Sequence, residues 1–153
     1  MSLPTENVQD YPRPPALEKV SERLRVLVGD QTIADTTNGW RVLETHHAPT
    51  YYIPPEDVQM EMLSPSRRVS HCEWKGRAAY FHIGAARDAA WGYPKPNNRF
   101  APIKDMLAFY ASAVDVCYVG DEKVMPQPGD FYGGWVTANL TGTIKGSPET
   151  MGW

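Results

Sequence analysis

The sequence predicts an all-β (β-dominant α+β) fold of antiparallel hairpins, with one main helix near residues 102–112. Three observations carry this reading. Fourteen prolines and twelve glycines punctuate 153 residues, an excess that cuts the chain into short elements and excludes a helical bundle. Apolar runs rich in Val, Ile, Tyr and Trp recur at short spacing, bounded by Gly-Asp or Pro-Pro steps. Hydrophobic residues make up 42% of the chain and charged residues 22%, so a real core is expected. A domain of this length buries about 70% of its unfolded surface and folds without disulfide or metal staples.

In chain order, the stretch 1–16 carries Pro4, Pro12, Pro14 and Pro15 and no periodic apolar face. It reads as an extended arm, with Tyr11 and Leu17 as anchors to the body. A core spans 17–125. Its first hairpin joins 24–28 to 32–35 around Gly29-Asp30, where glycine supplies the positive φ of a tight turn. Residues 40–44 and 50–53 are the next strands, the second closed by Pro54-Pro55. Val58, Met60 and Met62 alternate with Gln59 and Glu61, the period of a half-buried strand. Residues 69–74 are extended, and 78–83 and 87–91 form a second hairpin about Gly84. Pro102 suits a first helical turn, and Ile103, Met106, Leu107, Tyr110, Ala111 and Val114 recur at helical spacing. A last hairpin joins 114–119 to 122–124 through Gly120-Asp121. The segment 126–153 is glycine-rich but holds Phe131, Tyr132 and Trp135, so it is expected to pack on the core as a C-terminal extension.

Composition also bounds function. A net charge of −3 argues against a broad nucleic-acid footprint. No apolar run reaches the roughly 18 residues of a membrane span. The first residues lack the basic and apolar blocks of a signal peptide, and two cysteines, Cys72 and Cys117, are too few for a disulfide framework. The expectation is a cytoplasmic protein with free thiols.

Six short motifs occur in a fixed order: Ile33-Ala34-Asp35-Thr36, Leu43-Glu44-Thr45, Tyr51-Tyr52-Ile53-Pro54, Asp57-Val58, His71-Cys72-Glu73-Trp74-Lys75-Gly76 and Ala89-Ala90-Trp91-Gly92-Tyr93-Pro94. Asp10-Tyr11-Pro12-Arg13-Pro14-Pro15 precedes them and Gly129-Asp130-Phe131-Tyr132-Gly133-Gly134-Trp135 follows. Together they resemble the long form of domain-of-unknown-function family 427, over nearly the whole chain. The resemblance implies a compact β-tent-like fold, two sheets meeting at an angle around a cleft, with a sandwich as the alternative. It brings no established activity. A nucleotidyltransferase-like label sometimes travels with that family, yet the chain has no Asp-x-Asp or Asp-x-Glu pair for magnesium and no phosphate-cradling glycine loop.

Other chemistries are weighed on the residues alone. His46-His47 and His71-Cys72 are adjacent pairs, and no Cys-x-x-Cys knuckle exists, so no metal or cofactor is expected. No Gly-x-Ser-x-Gly elbow points to a serine hydrolase. Glu44 with Glu61 or Glu73 offers a carboxylate pair, as any chain with eighteen acids does. The candidates for chemistry are Glu44, His71, Cys72 and Lys75. Those for ligand contact are Arg41, Tyr51, Tyr52, Trp91 and Tyr93, with Tyr51 and Tyr52 facing opposite sides of their strand. Set against this is the plain reading in which the aromatics and Cys72 simply fill a core poor in Leu and Ile.

The leading expectation is a domain that binds a small polar or aromatic molecule in a cleft between sheets, with or without catalysis. At least two of Glu44, His71 and Lys75 should then line one pocket that exposes Trp91 or Tyr93. The alternative is a protein-interaction or self-associating module, a homo-oligomer built through the arm or the tail. A thiol enzyme using Cys72 ranks third.

Overall fold

The computed structural model describes residues 3–72, 74–128 and 132–146. Strand accounts for 49% and helix for 11%, and the helical part is all short 3-10 turns, so β pairing decides the architecture. The strands are β1 (Glu6–Asn7), β2 (Ala16–Lys19), β3 (Leu24–Val28), β4 (Gln31–Thr36), β5 (Trp40–Leu43), β6 (Thr50–Tyr52), β7 (Leu63–Cys72), β8 (Gly76–Ile83), β9 (Ala86–Gly92), β10 (Leu107–Phe109), β11 (Val116–Val119), β12 (Glu122–Lys123), β13 (Met125–Pro126), β14 (Trp135–Val136) and β15 (Leu140–Thr141).

β3 and β4 close around Gly29-Asp30 with Gly29 at φ +59°, a conformation glycine adopts without steric cost. β11 pairs with β3, and β12 folds back on β11, giving the order β12-β11-β3-β4. A second sheet runs β2-β5-β6 and a third β10-β9-β8-β7, both wholly antiparallel. Their edges meet. Ile53, just past β6, and Leu107 of β10 exchange both backbone hydrogen bonds, at 2.8 and 2.9 Å.

Alternation along these joined strands splits neighbouring residues between two apolar clusters. Tyr51, Ile53, Leu107 and Phe109 face Leu24, Val26, Ile33, Cys117 and Val119 of the first sheet. Tyr52, Ala108 and Tyr110 face the other way, beside Tyr80, Trp91, Tyr93 and Phe100. One cluster is a closed core between sheets. The other, on the reverse face, is only partly covered.

Two sequence expectations are corrected here. No helix occupies 102–112: a 3-10 segment, Asn98–Ile103, with Phe100 off helical geometry at φ −109°, gives way to strand β10. Leu107 to Tyr110 are all buried, because β10 is covered on both faces. Such a continuous apolar run fits a buried strand as well as a helix, and pairing with β9 and Ile53 decides for strand. The alternation from Val58 to Met62 likewise fails to make a strand. The Met62 N–H turns back to the Gln59 carbonyl at 2.9 Å, leaving Met60–Met62 as a 3-10 turn and only Val58 bridged, to Ala34.

The described parts of the arm and of the extension are bound to the body. β1 pairs in parallel with β15, so arm and extension hold each other, and Val8 between them and the body is fully buried. Arg41 on β5 grips Glu6 with two parallel hydrogen bonds (3.0 and 2.9 Å) and Glu18 with a third at 2.9 Å. Burial pulls the Glu6 carboxyl upward, but its bonds to Arg41 and Tyr11 outweigh that and hold it below the usual range. In the extension, Trp135 is 1% exposed, packs on Tyr51 at 5.2 Å between ring centres, and donates its indole N–H to the Phe109 carbonyl at 2.8 Å. Phe131, the third aromatic expected to pin the tail, lies outside the described residues.

Trp135→Ala should therefore cost the domain about 3–5 kcal/mol, a large cavity plus an orphaned carbonyl. A lower urea midpoint at unchanged slope is the expected readout. An unaltered midpoint would show the extension to be a passenger.

Candidate functional site

On the partly covered face, strand alternation lays down an aromatic floor. Trp91 of β9 is central, 4.5 Å from Tyr110 and 6.4 Å from Tyr80 between ring centres. Tyr52 and Tyr93 stand 6.3 Å apart beside it. The Tyr80 hydroxyl shares a 2.9 Å hydrogen bond with Ser70 of β7, and the Arg68 guanidinium lies 4.4 Å over the Tyr80 ring. Burial pushes the Tyr52 phenol well above its ordinary range, and Tyr93 is raised too, so both are neutral donors at any physiological pH. The Tyr52 hydroxyl is buried beside Tyr93 and Trp91.

A cavity of about 320 Å³ opens over this floor. That is the size of a small-molecule pocket. One wall is the β7–β8 turn, with Ser70, His71, Cys72, Trp74 and Lys75. Another is the β5–β6 loop, with Glu44, His47 and Thr50. Arg13 of the arm and Gln127, Tyr132, Gly133, Gly134 and Lys145 of the extension complete it. Gly133 abuts the Cη2 edge of the Trp91 ring so closely that a Cβ there would strike it, and a Cβ on Gly134 would strike the Gln127 amide oxygen and the Ala48 carbonyl. Only bare backbone fits between the extension and the floor.

Gln127 is 2% exposed and organises the polar wall. Its Oε1 accepts from the Ala48 N–H at 3.2 Å, so its Nε2 faces the Lys145 carbonyl (2.9 Å) and His47 Nδ1 (3.2 Å). His47 Nδ1 is therefore the acceptor and Nε2 carries the proton. The ring stands edge-on to Tyr132, with centres 5.1 Å apart. Burial, then the charges of Lys145, Lys75, Arg13 and His46, lower the His47 pKa to about 4. The imidazole is neutral at pH 7. Lys75 is 8% exposed and lies over the Tyr93 and Phe100 rings, at 5.8 and 5.9 Å. Among the described residues no carboxylate comes within ion-pair distance of it.

The cavity thus brings together seven of the nine residues singled out in the sequence: Glu44, Tyr52, His71, Cys72, Lys75, Trp91 and Tyr93. Arg41 and Tyr51 stand elsewhere. Arg41 is engaged by Glu6 and Glu18, and Tyr51 packs on Trp135 in the closed core. His71 and Cys72, adjacent on a strand end, both border the cavity, His71 at the exposed rim and Cys72 half-buried. Cys117 is core, its thiol pushed up to about 12 by burial. Glu73 lies outside the described residues, and Glu61 is away from the cavity beside Gln59 and Met62.

Sequence reading missed His47, Gln127, Tyr80, Tyr110, Arg13 and Lys145. Tyr80 was within reach of local reasoning, since it shares a strand face with buried Ala78 two residues before it. Tyr110 was hidden by the helical reading of 102–112, and Arg13, His47, Gln127 and Lys145 meet only through contacts between distant segments.

The model of a domain of unknown function (DUF427) matches residues 16–120. The chain belongs to the DUF427 family. Comparison with curated proteins gives no match. The DUF427 region supplies the aromatic floor, Glu44, His47 and Lys75, whereas Arg13, Gln127, Tyr132 and Lys145 come from segments on either side of it.

The low His47 pKa has a sign that can be checked. The unfolded chain, with an ordinary histidine near 6.5, takes up a proton first as pH falls. Acidification from about 6.5 to about 4 therefore erodes stability, by at most about 3 kcal/mol. His47→Gln should shed that part of the acid sensitivity, and the His47 ring resonances should titrate near 4. A midpoint near 6.5 would refute the buried, cation-flanked setting. Gly133→Ala should displace the extension from Trp91, read as a red-shifted tryptophan emission.

Proposed function

We propose that this domain binds a small, flat, polar molecule in the cavity over Trp91. The observation that carries the reading is the composition of one surface: stacked aromatic rings below, and a carboxylate, an imidazole and an ammonium around them, Glu44, His47 and Lys75. Flat apolar walls supply most of the burial energy, and a few fixed polar groups orient the ligand. Whether a reaction follows binding depends on groups such as Glu44, His71 and Cys72, which border the cavity without forming a hydrogen-bonded relay among the described residues.

The self-association alternative has less support among the described residues. Arm and tail pair with each other through β1 and β15 and fold over their own body. Among the described residues the large exposed apolar side chains, Met60, Val69 and Met125, are separate in sequence and fold. Likewise among the described residues, no helix is long and apolar enough to cross a membrane. We place the protein in the cytoplasm on its cysteine usage, two free thiols and no disulfide framework, with a small molecule as its partner and no nucleic acid.

A fragment screen read by NMR tests this. Aromatic polar fragments should shift resonances of Trp91, Tyr93 and His47 and leave those around Arg25 and Tyr118, on the first sheet, unmoved. Trp91→Leu should weaken the best fragment at least tenfold, about 1.4 kcal/mol, and Arg25→Lys should not. Fragments that bind elsewhere, or none binding at millimolar concentration, would overturn the reading.

A further inference from the structure

The charge around the cavity runs against that of the protein. The chain carries a net −3, yet among the described lining residues Arg13, Lys75 and Lys145 face a single carboxylate, Glu44. None of the three cations has a carboxylate within ion-pair distance among the described residues. Lys145 lies instead 5.6 Å over the Tyr132 ring, and Lys75 is nearly buried against Tyr93 and Phe100. Ring faces attract an ammonium only weakly and offer it no hydrogen-bond acceptor. An anion entering the cavity would supply the charge-assisted bonds that Lys75 lacks among the described residues.

The hydrogen-bond wiring points the same way. Gln127 occupies His47 Nδ1 as a donor, which leaves His47 Nε2–H as a donor with no acceptor among the described residues. The His47 Nε2–H and the Lys75 ammonium can only donate at this site. Donors in excess of acceptors, beside excess positive charge, fit a group with several acceptor oxygens and a negative charge.

We infer that the ligand carries an anionic oxyacid group, a carboxylate or phosphate, seated against Lys75 and the Nε2–H of His47, with its flat part on Trp91. The inference rests on the binding role proposed above and names the charge class of the ligand. Lys145 and Arg13, from outside the DUF427 region, add long-range attraction at the mouth.

Three probes of one shape separate the possibilities: 2-naphthoate, 2-naphthyl phosphate and uncharged 2-naphthamide, titrated calorimetrically into the full chain at low and moderate salt. At least one anion should bind tenfold or more tightly than the amide, and salt should narrow the gap. Lys75→Gln should bring the anion down to the level of the amide while amide binding holds, which also shows that the variant folds. Should Lys75→Gln fail to fold, Lys145→Gln provides the second reading, with a several-fold loss confined to the anions. Which anion leads tells carboxylate from phosphate. Anion and amide within twofold of each other, or selectivity that survives the folded variants, would overturn the anionic class and leave the binding role standing. No binding by any of the three at millimolar concentration would remove both.

Discussion

The two hydrogen bonds exchanged by Ile53 and Leu107 are the constraint on which the rest of the structure depends. They join the β2-β5-β6 sheet to the β10-β9-β8-β7 sheet at their edges, so that strands far apart in sequence share one pleated surface. On such a surface side chains alternate strictly, and each residue is committed to one face. Tyr51 and Ile53 go to the closed core, and Tyr52 goes to the aromatic floor. Leu107 and Phe109 take the first side, Ala108 and Tyr110 the second. A slip of one residue at this seam would turn Tyr52, Ala108 and Tyr110 inward and leave no floor.

The floor alone is not a pocket. It becomes one because the arm and the extension are drawn over it, and the forces that draw them act away from the cavity. Arg41, nearly buried between Glu6 and Glu18, fixes the arm. Trp135, sunk in the opposite core and bonded to the Phe109 carbonyl, fixes the extension. The chain then passes along the outer edge of the Trp91 ring as Gly133-Gly134, where no side chain has room. Polar contacts follow from that path: Gln127 reaches Ala48, His47 and the Lys145 carbonyl at once, and by occupying Nδ1 it sets which imidazole nitrogen carries the proton. Core packing on one side thus specifies hydrogen-bond chemistry on the other.

Local sequence was sufficient wherever a rule of short range governed. Gly29-Asp30 and Gly120-Asp121 mark hairpins because a tight turn needs positive φ, and both glycines adopt it. Tyr51 and Tyr52 part to opposite faces because adjacent strand residues always do. The same logic failed at 103–110, where the spacing of apolar residues suits a helix, and at 58–62, where alternation suits a strand. Periodicity records which residues want burial. It does not record which neighbour offers the backbone hydrogen bonds: that neighbour was Ile53 in the first case, and in the second the pairing with β4 ends at Val58 and Gln59.

Motifs within the family region named Glu44, Tyr52, His71, Cys72, Lys75, Trp91 and Tyr93, and these meet at one cavity although four separate segments carry them. Arg41 sits in equally distinctive company, yet the arm claims it, because Glu6 lies 35 residues away and nothing local announces the pair. The sequence by itself determined that the chain is strand-built, where its hairpins turn and which aromatic residues leave each strand on which side, since steric turn geometry and side-chain alternation act within a few residues. Only the tertiary structure decided that Arg13, His47, Gln127 and Lys145 stand around one aromatic floor, because edge pairing and terminal wrapping join residues up to 135 positions apart, and the energy of those contacts resides in the pairs and not in any stretch of sequence.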